Sequence, residues 1–340
     1  MRLEHGRHRC RAGCRVEGLK SRRVSDYAAK GGTSGLRSPL VADRDSATLE
    51  QGPLARVPSG GLVIGAIASV QFGAAIATTL FDRVGPSGAV TLRLVSAALI
   101  LVAVWRPRVR GRGRHELALA GLFGLVLGAM NLSFYEALDR IPLGIAVAIE
   151  FVGPLAVAVA GSRRRLDGLW IALAVVGILA LTRGGAHGLD PLGVALALVA
   201  GAMWGAYIVL NARIGRAFEG SAGLALAMCV AALVTVPLGA AQAGSALLQP
   251  QTLLLGTAVG VLSSVIPYSL ELEALRRIAP SVFGVLMSLE PAMAALAGFV
   301  VLGQGLSLRE LAGTALVVTA SVGASRGAAR GAAALPAGVS

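Results

Sequence analysis

Ten apolar stretches follow one another between Leu62 and residue 325, and they constrain the fold more than any other feature of the chain. About 20 helical residues, at a rise of roughly 1.5 Å each, cover the hydrocarbon core of a membrane. The stretches occupy residues 62–81, 87–105, 116–135, 143–161, 166–182, 191–211, 221–240, 252–270, 280–302 and 307–325. The connections between them are short and leave no room for a soluble domain. We therefore predict an all-α polytopic membrane protein with ten transmembrane helices.

Composition agrees with a chain that is solvated by lipid. Hydrophobic residues make up 55% of the sequence and charged residues 14%, which is well below the roughly 25% of a soluble domain. Glycine accounts for 45 of the 340 residues, as expected where helices pack backbone to backbone in a membrane. The lipid bilayer is therefore one expected partner of the chain.

The formal net charge of +13 indicates membrane orientation rather than nucleic-acid binding. Twelve of the 31 Lys and Arg residues lie in residues 1–61, and nearly all the others lie in short connections between apolar stretches. If the N-terminal tail lies inside, the basic connections fall on the same side: Arg106, Arg108, Arg110, Arg112, Arg114, Arg163, Arg164, Arg165, Arg213, Arg216, Arg276, Arg277, Arg326 and Arg330. By the positive-inside rule both termini are cytoplasmic, and no nucleic-acid partner is expected.

The two ends of the chain lack the apolar pattern. Residues 1–61 are rich in Arg, Gly and Ser and predict a disordered basic cytoplasmic tail, while residues 326–340 predict a second cytoplasmic tail. Cys10 and Cys14 lie close to two histidines, but their spacing matches no common zinc site. We therefore expect no metal site.

An internal duplication divides the apolar region in two. Residues 135–141 (YEALDRI) and 272–278 (LEALRRI) are identical at five of seven positions, and an apolar helix with a Glu and a Pro follows each copy. We predict one five-helix repeat over 62–182 and another over 189–325. Because five is an odd number, the second repeat enters the membrane upside down relative to the first. Such inverted repeats are common in secondary transporters, which bind their substrates near the midplane between the repeats.

Three ionisable side chains lie well inside the predicted spans, where burial of a charge in lipid is costly. They are Arg93, Glu150 and Glu290. We expect them to serve a substrate or proton pathway, and the alternative is a buried Arg–Glu pair that only fixes helix packing. A carboxyl group at either Glu position would carry a proton or bind the ammonium group of an amino acid.

Other polar residues and prolines in the spans are candidates for a cavity lining. The polar and aromatic candidates are Gln71, Asn131, Tyr135, Trp204, Tyr207 and Tyr268. Proline removes a backbone donor and frees a carbonyl group one turn earlier, which a membrane tolerates where that group faces protein or water. The helix-break candidates are Pro154, Pro267 and Pro291, with simple kinks as the alternative. Three further glutamates lie near span ends, where we expect them to reach interfacial water: Glu136, Glu271 and Glu273.

Four segments carry a resemblance to a known family. They are VTLRLVSAAL at 90–99, PLGIAVAIEFVGPLAVA at 142–158, PYSLE at 267–271 and FGVLMSLEPAMAAL at 283–296. With these segments the chain resembles the EamA type of the drug/metabolite transporter superfamily, and within it the bacterial exporters of threonine and homoserine. The likeness covers about residues 60–325. One position departs from the family pattern, because relatives often carry Glu where this chain has Gln304.

The resemblance implies a ten-helix exporter of the bacterial inner membrane that uses the proton gradient and needs no cofactor. The implied substrates are threonine, homoserine or similar small neutral amino acids. Efflux of another small metabolite or a toxic amphiphile is the alternative. A membrane-embedded transferase would be a different class, but it needs a nucleophile–base pair or a metal cluster in the spans, and none of the four histidines lies there. The oligomeric state is open and includes a homodimer.

Overall fold

This computed structural model describes residues 57–160, 167–182, 189–218, 222–278 and 280–333. Nearly all of the predicted N-terminal tail lies outside the described residues, as does the end of the C-terminal tail. The described part is helical throughout, with turns between the helices and no β-strand.

The first half of the chain contributes six helices. They are α1 (Ser59–Thr78), α2 (Phe81–Trp105), α3 (Arg114–Leu138), α4 (Leu143–Glu150), α5 (Val152–Ala160) and α6 (Asp167–Thr182).

The second half contributes seven α-helices with two short irregular turns between them. They are α7 (Pro191–Ala217), α8 (Ala222–Ala243) with a 3-10 turn at Gly244–Leu248, α9 (Pro250–Gly260), a π turn at Val261–Val265, α10 (Ile266–Leu275), α11 (Pro280–Met287), α12 (Glu290–Leu302) and α13 (Leu308–Ala333).

Eight helical segments of the described residues are long and apolar enough to cross a membrane. They are Ser59–Thr78, Phe81–Trp105, Arg114–Leu138, Leu143–Ala160, Pro191–Ala217, Ala222–Leu248, Pro250–Leu275 and Val282–Leu302. The apolar part of α6 is shorter, at Gly168–Leu181, and α13 is not among the eight. The prediction of a multi-pass all-α membrane protein is confirmed, and the ten-span count stays a prediction.

Polar contacts between helix ends show which ends lie together in the bundle. Arg277, just beyond the end of α10, donates a hydrogen bond to the carbonyl of Val57 before α1, at 3.2 Å. Ser87 near the start of α2 donates to Glu136 near the end of α3, at 2.9 Å. We call the end where Arg277 meets Val57 the Val57 end. The end where Ser87 meets Glu136 is called the Leu143 end, because α4 begins at Leu143 directly after α3.

The buried core is divided unequally between the two ends. A single large cluster joins both halves of the chain towards the Leu143 end and contains Leu80, Tyr135, Leu138 and Leu143. Towards the Val57 end the described core splits into three smaller clusters. One joins α3, α7 and α8 through Ala120, Phe123, Leu210, Ile214, Phe218 and Ala227. The second joins α1 and α10 through Leu62, Val63, Ile67 and Ala274, and the third joins α5, α6 and α13 through Leu155, Ala174, Ala320 and Ala324. The middle of the bundle between these clusters is where polar side chains collect.

Two glycines bring α7 against the backbone of the broken helix α4–α5. A Cβ atom on Gly153 would lie 1.8 Å from the carbonyl oxygen of Gly201, and one on Gly201 would lie 2.6 Å from the carbonyl oxygen of Glu150. Only glycine allows this approach, which is the kind of small-residue packing that membrane helices use. The contact places the backbone of Glu150 directly on α7.

Candidate functional site

A cavity of about 140 Å³ lies between the two halves of the chain in the middle of the bundle. It is smaller than the roughly 300–1,000 Å³ of pockets that hold drug-sized ligands. Its lining comes from α1, α2, α3, α4, α7, α10, α11, α12 and the π turn: Val70, Gln71, Arg93, Met130, Asn131, Phe134, Glu150, Trp204, Tyr207, Ser263, Pro267, Tyr268, Glu271, Met287 and Glu290. The volume suits a small metabolite.

The cavity gathers most of the residues that the sequence singles out. Eight of the nine polar and aromatic candidates line it, namely Gln71, Arg93, Asn131, Glu150, Trp204, Tyr207, Tyr268 and Glu290. The ninth, Tyr135, is 0% exposed and lies behind Arg93, whose Nη1 donates a hydrogen bond to the Tyr135 hydroxyl at 3.4 Å. Of the helix-break candidates, Pro267 lines the cavity, whereas Pro154 and Pro291 do not.

Glu271 is the main functional candidate that the sequence analysis misplaced. We expected it to reach interfacial water at a span end, but the structure places it in the cavity lining. Glu271 lies four residues after Pro267 on α10, and residues one helical turn apart share a face. That spacing was the signal that could have identified it. The two other span-end glutamates, Glu136 and Glu273, form ion pairs at helix ends.

Arg93 is held by an acceptor that a proline creates. In a regular α-helix the N–H group of residue 267 would bond to the carbonyl of residue 263, but Pro267 has no N–H. The Ser263 carbonyl instead accepts a hydrogen bond from Arg93 Nη2 at 3.0 Å. The guanidinium carbon lies 5.6 Å from the centre of the Tyr135 ring. These contacts fix the cation on the cavity wall, between α2, α3 and the π turn.

Glu290 has one satisfied and one unsatisfied carboxyl oxygen. Gln71 donates a hydrogen bond from its side-chain amide to Glu290 Oε1 at 3.0 Å, linking α1 to the start of α12. Glu290 Oε2 and the Gln71 carbonyl oxygen are buried and have no hydrogen-bond partner. Buried polar groups are normally hydrogen-bonded, so these two atoms are open positions for a proton or a ligand.

Glu150 ends one half of a broken helix. It is the last residue of α4, and α5 begins at Val152. The carbonyl of Glu150 lies one turn before Pro154 and therefore lacks its usual backbone donor. Free carbonyls at a helix C-terminus carry partial negative charge, which adds to the charge of the Glu150 side chain. This arrangement favours a cation at the end of α4.

The charged side chains of the cavity are not joined in an ion pair. Arg93, Glu150 and Glu290 are each 7–8% exposed, yet no ion pair within 4.0 Å joins Arg93 to any glutamate of the described residues. Arg93 Nε and the Ser263 hydroxyl are also buried without a partner. One guanidinium and three carboxyl groups therefore face a small cavity with unused hydrogen-bonding capacity, which fits a zwitterionic ligand better than a purely structural Arg–Glu pair.

Comparison with known proteins gives the family. The model of the EamA-like transporter family matches residues 191–326. The threonine/homoserine exporter RhtA of Salmonella typhimurium strain SL1344 is 46% identical over 262 residues, which cover 76% of this chain and 88% of the exporter. The exporter of the same name from Escherichia coli K12 is 45% identical over 266 residues, covering 77% of this chain and 89% of the exporter.

A solved structure shares the fold. A protein of known crystal structure is similar with a TM-score of 0.55 at 18% identity, and the match covers 79% of this chain and 98% of that protein. The relatives at 45–46% identity confirm the family suggested by the sequence segments. The chain is a membrane transporter that belongs to the EamA-like transporter family.

Proposed function

We propose that the chain exports small neutral amino acids of the threonine and homoserine type across the bacterial inner membrane. The observation that carries the proposal is a small cavity whose lining includes Arg93, Glu150 and Glu271, in a chain 45–46% identical to exporters of those amino acids. An amino acid is a zwitterion that presents one carboxylate and one ammonium group about two bonds apart. A guanidinium and a carboxyl group in the lining of one small cavity match that pattern.

The roles follow from the geometry. Arg93 binds the substrate carboxylate, because its Nε donor has no protein partner. Glu150 binds the substrate ammonium group at the negative end of α4, with Glu271 on a second wall. The substrate side chain lies against Met130, Phe134 and Met287, which supply apolar surface.

We propose that the proton gradient drives export by alternating access. Glu290 is the proton carrier, since its carboxyl group is bonded only to the neutral Gln71 amide and keeps one oxygen free. Proton uptake on the outer side and release on the inner side accompany substrate exit. The large core at the Leu143 end and the divided core at the Val57 end support a conformation that is closed at the former end.

We propose the ten-span, inverted-repeat topology with both termini in the cytoplasm. Two equivalent ion pairs support it. Glu136 and Arg140 pair at the end of α3, at 3.1 Å, while Glu273 and Arg277 pair at the end of α10, at the opposite end of the bundle. The family match at 191–326 covers nearly the same residues as the second repeat. Residues 1–61 form a cytoplasmic tail in this proposal.

Transport measured on the purified protein tests the proposal. The full chain is reconstituted into liposomes with an imposed proton gradient, and export of labelled L-threonine and L-homoserine is followed. We expect gradient-dependent transport of both that collapses with a protonophore, and none in empty liposomes. Transport of a panel of cationic drugs or another metabolite, without transport of either amino acid, would contradict the proposal and favour the broader efflux function.

A further inference from the structure

We propose that Pro267 is a positioning residue for Arg93: by lacking a backbone donor, it leaves the Ser263 carbonyl free to hold the guanidinium against the cavity. The inference rests on the proposed function, in which Arg93 binds the substrate carboxylate. It assigns a binding role to a helix irregularity on the other repeat, 170 residues away in sequence.

The helix irregularity is confined to a few residues, and its carbonyl groups contact α1 and α2. Residues Val261–Val265 form a π turn directly before α10, and π turns inside helices are often found at functional sites. Two successive carbonyl groups there are satisfied by side chains of the first repeat. Ser69 on α1 donates to the Leu262 carbonyl at 2.6 Å, and Arg93 on α2 donates to the Ser263 carbonyl at 3.0 Å.

The two anchor points of Arg93 leave part of its donor set unused. Nη2 is bound to Ser263 and Nη1 to the Tyr135 hydroxyl, at 3.0 and 3.4 Å. Nε has no partner, and no carboxylate of the described residues lies within 4.0 Å of the guanidinium. A guanidinium that is already oriented loses less conformational freedom when substrate binds, which strengthens binding without any new contact.

An amide N–H at position 267 would compete for the same carbonyl. In Pro267→Ala the backbone of α10 gains a donor that can close a regular helical bond to Ser263. The Ser263 carbonyl then keeps one lone pair for Arg93 and is drawn towards the helix axis, so the guanidinium is held less firmly and has to be ordered by the substrate. The step that suffers is substrate binding, so the apparent KM rises more than the maximal rate falls.

Initial rates of L-threonine transport by the full-length chain in liposomes measure the effect. We expect Pro267→Ala to raise the apparent KM by about tenfold, which corresponds to roughly 1.4 kcal/mol. Pro267→Gly restores the same N–H group without a side chain and should behave alike. Pro237→Ala is the matched control, because Pro237 also lies inside a helix, α8, but is exposed and away from the cavity. It should leave the KM unchanged.

A double-mutant cycle separates positioning from general helix repair. Arg93→Gln should raise the KM strongly by itself, and adding Pro267→Ala to it should raise the KM little further. Equal effects of Pro267→Ala in both backgrounds, or an unchanged KM in both Pro267 variants, would overturn the inference and leave the proposed function standing. Wild-type transport by Arg93→Gln would instead overturn the proposed role of Arg93 itself.

Discussion

The side-chain carbonyl of Gln304 accepts a hydrogen bond from the backbone N–H of Leu143 at 3.0 Å. Leu143 is the first residue of α4, whose first N–H groups have no partner within the helix. Gln304 lies in the turn between α12 and α13, so the contact joins the two halves of the chain at the Leu143 end. Gln304 therefore supplies a capping oxygen to α4.

Substitutions at Gln304 should follow this capping role. Gln304→Glu keeps an acceptor and adds a negative charge at a helix N-terminus, so stability should be unchanged or slightly raised. Gln304→Leu removes the acceptor and should cost about 1 kcal/mol, as loss of an N-cap does. Thermal unfolding of the detergent-solubilised protein measures both. Equal stability of the Leu variant and the wild type would show that the contact is not a cap.

Glu→Gln substitution keeps the shape of the side chain and removes its charge, and it should affect transport differently at Glu150 and at Glu290. Glu290→Gln should abolish gradient-driven efflux and leave substrate exchange measurable, because it removes the carrier but not the ligands. Glu150→Gln should weaken substrate binding itself, by roughly the 1.5–3 kcal/mol of a charged hydrogen bond.

Exchange and efflux assays on the same liposomes check this separation of roles. Glu116→Gln is the control, since Glu116 lies near the start of α3 in a partly exposed pair with Arg112. If both cavity variants insert normally and export like the wild type, the two carboxyl groups are structural and the assigned roles are wrong.

Gly201 should tolerate no side chain. A Cβ atom at this position would lie 2.6 Å from the Glu150 carbonyl, a backbone atom that cannot rotate away. Gly201→Ala should therefore push α7 from α4, at a cost of about 1–3 kcal/mol, and displace Glu150 in the cavity. Gly215→Ala on the same helix is the matched control, because nothing lies within 4 Å of the added atom. We expect loss of thermal stability and of threonine transport only in the first variant.

Reporter fusions should place both termini on the cytoplasmic side. Fusions at residues 1 and 340 should report inside, and a fusion after Gln249, between α8 and α9, should report outside. The basic connections lead to this expectation. An external C-terminus would imply an odd number of spans and would exclude the inverted repeat.

Removal of the N-terminal tail should preserve transport. Helix α1 begins at Ser59, and Val57 is the earliest residue whose contact with another helix is described, through its carbonyl and Arg277. Deleting residues 2–55 keeps that contact. Transport by the truncated protein in liposomes should equal that of the full chain, and a folded but inactive truncation would assign a function to the tail.

The positions of the helices follow from the sequence alone, and for a physical reason. A backbone in lipid has to satisfy its own hydrogen bonds, so each long apolar stretch has only the helix open to it. The same constraint makes Arg93, Glu150 and Glu290 visible as candidates, since a charge in an apolar stretch is costly wherever the helix lies. Proline acts on its own helix, which is why the break beside Pro267 could be predicted.

The partners of those side chains were decided by the tertiary structure. The bond between Gln71 and Glu290 spans 219 residues, and that between Arg93 and the Ser263 carbonyl spans 170. Such contacts depend on how helices cross and rotate, and the Ala- and Gly-rich faces of this chain are too uniform to specify those angles. The same rotation turns Glu271 towards the cavity and Tyr135 behind Arg93. The local sequence pattern identifies the polar residues whose burial costs free energy, but only the packed bundle determines which of them contact one another.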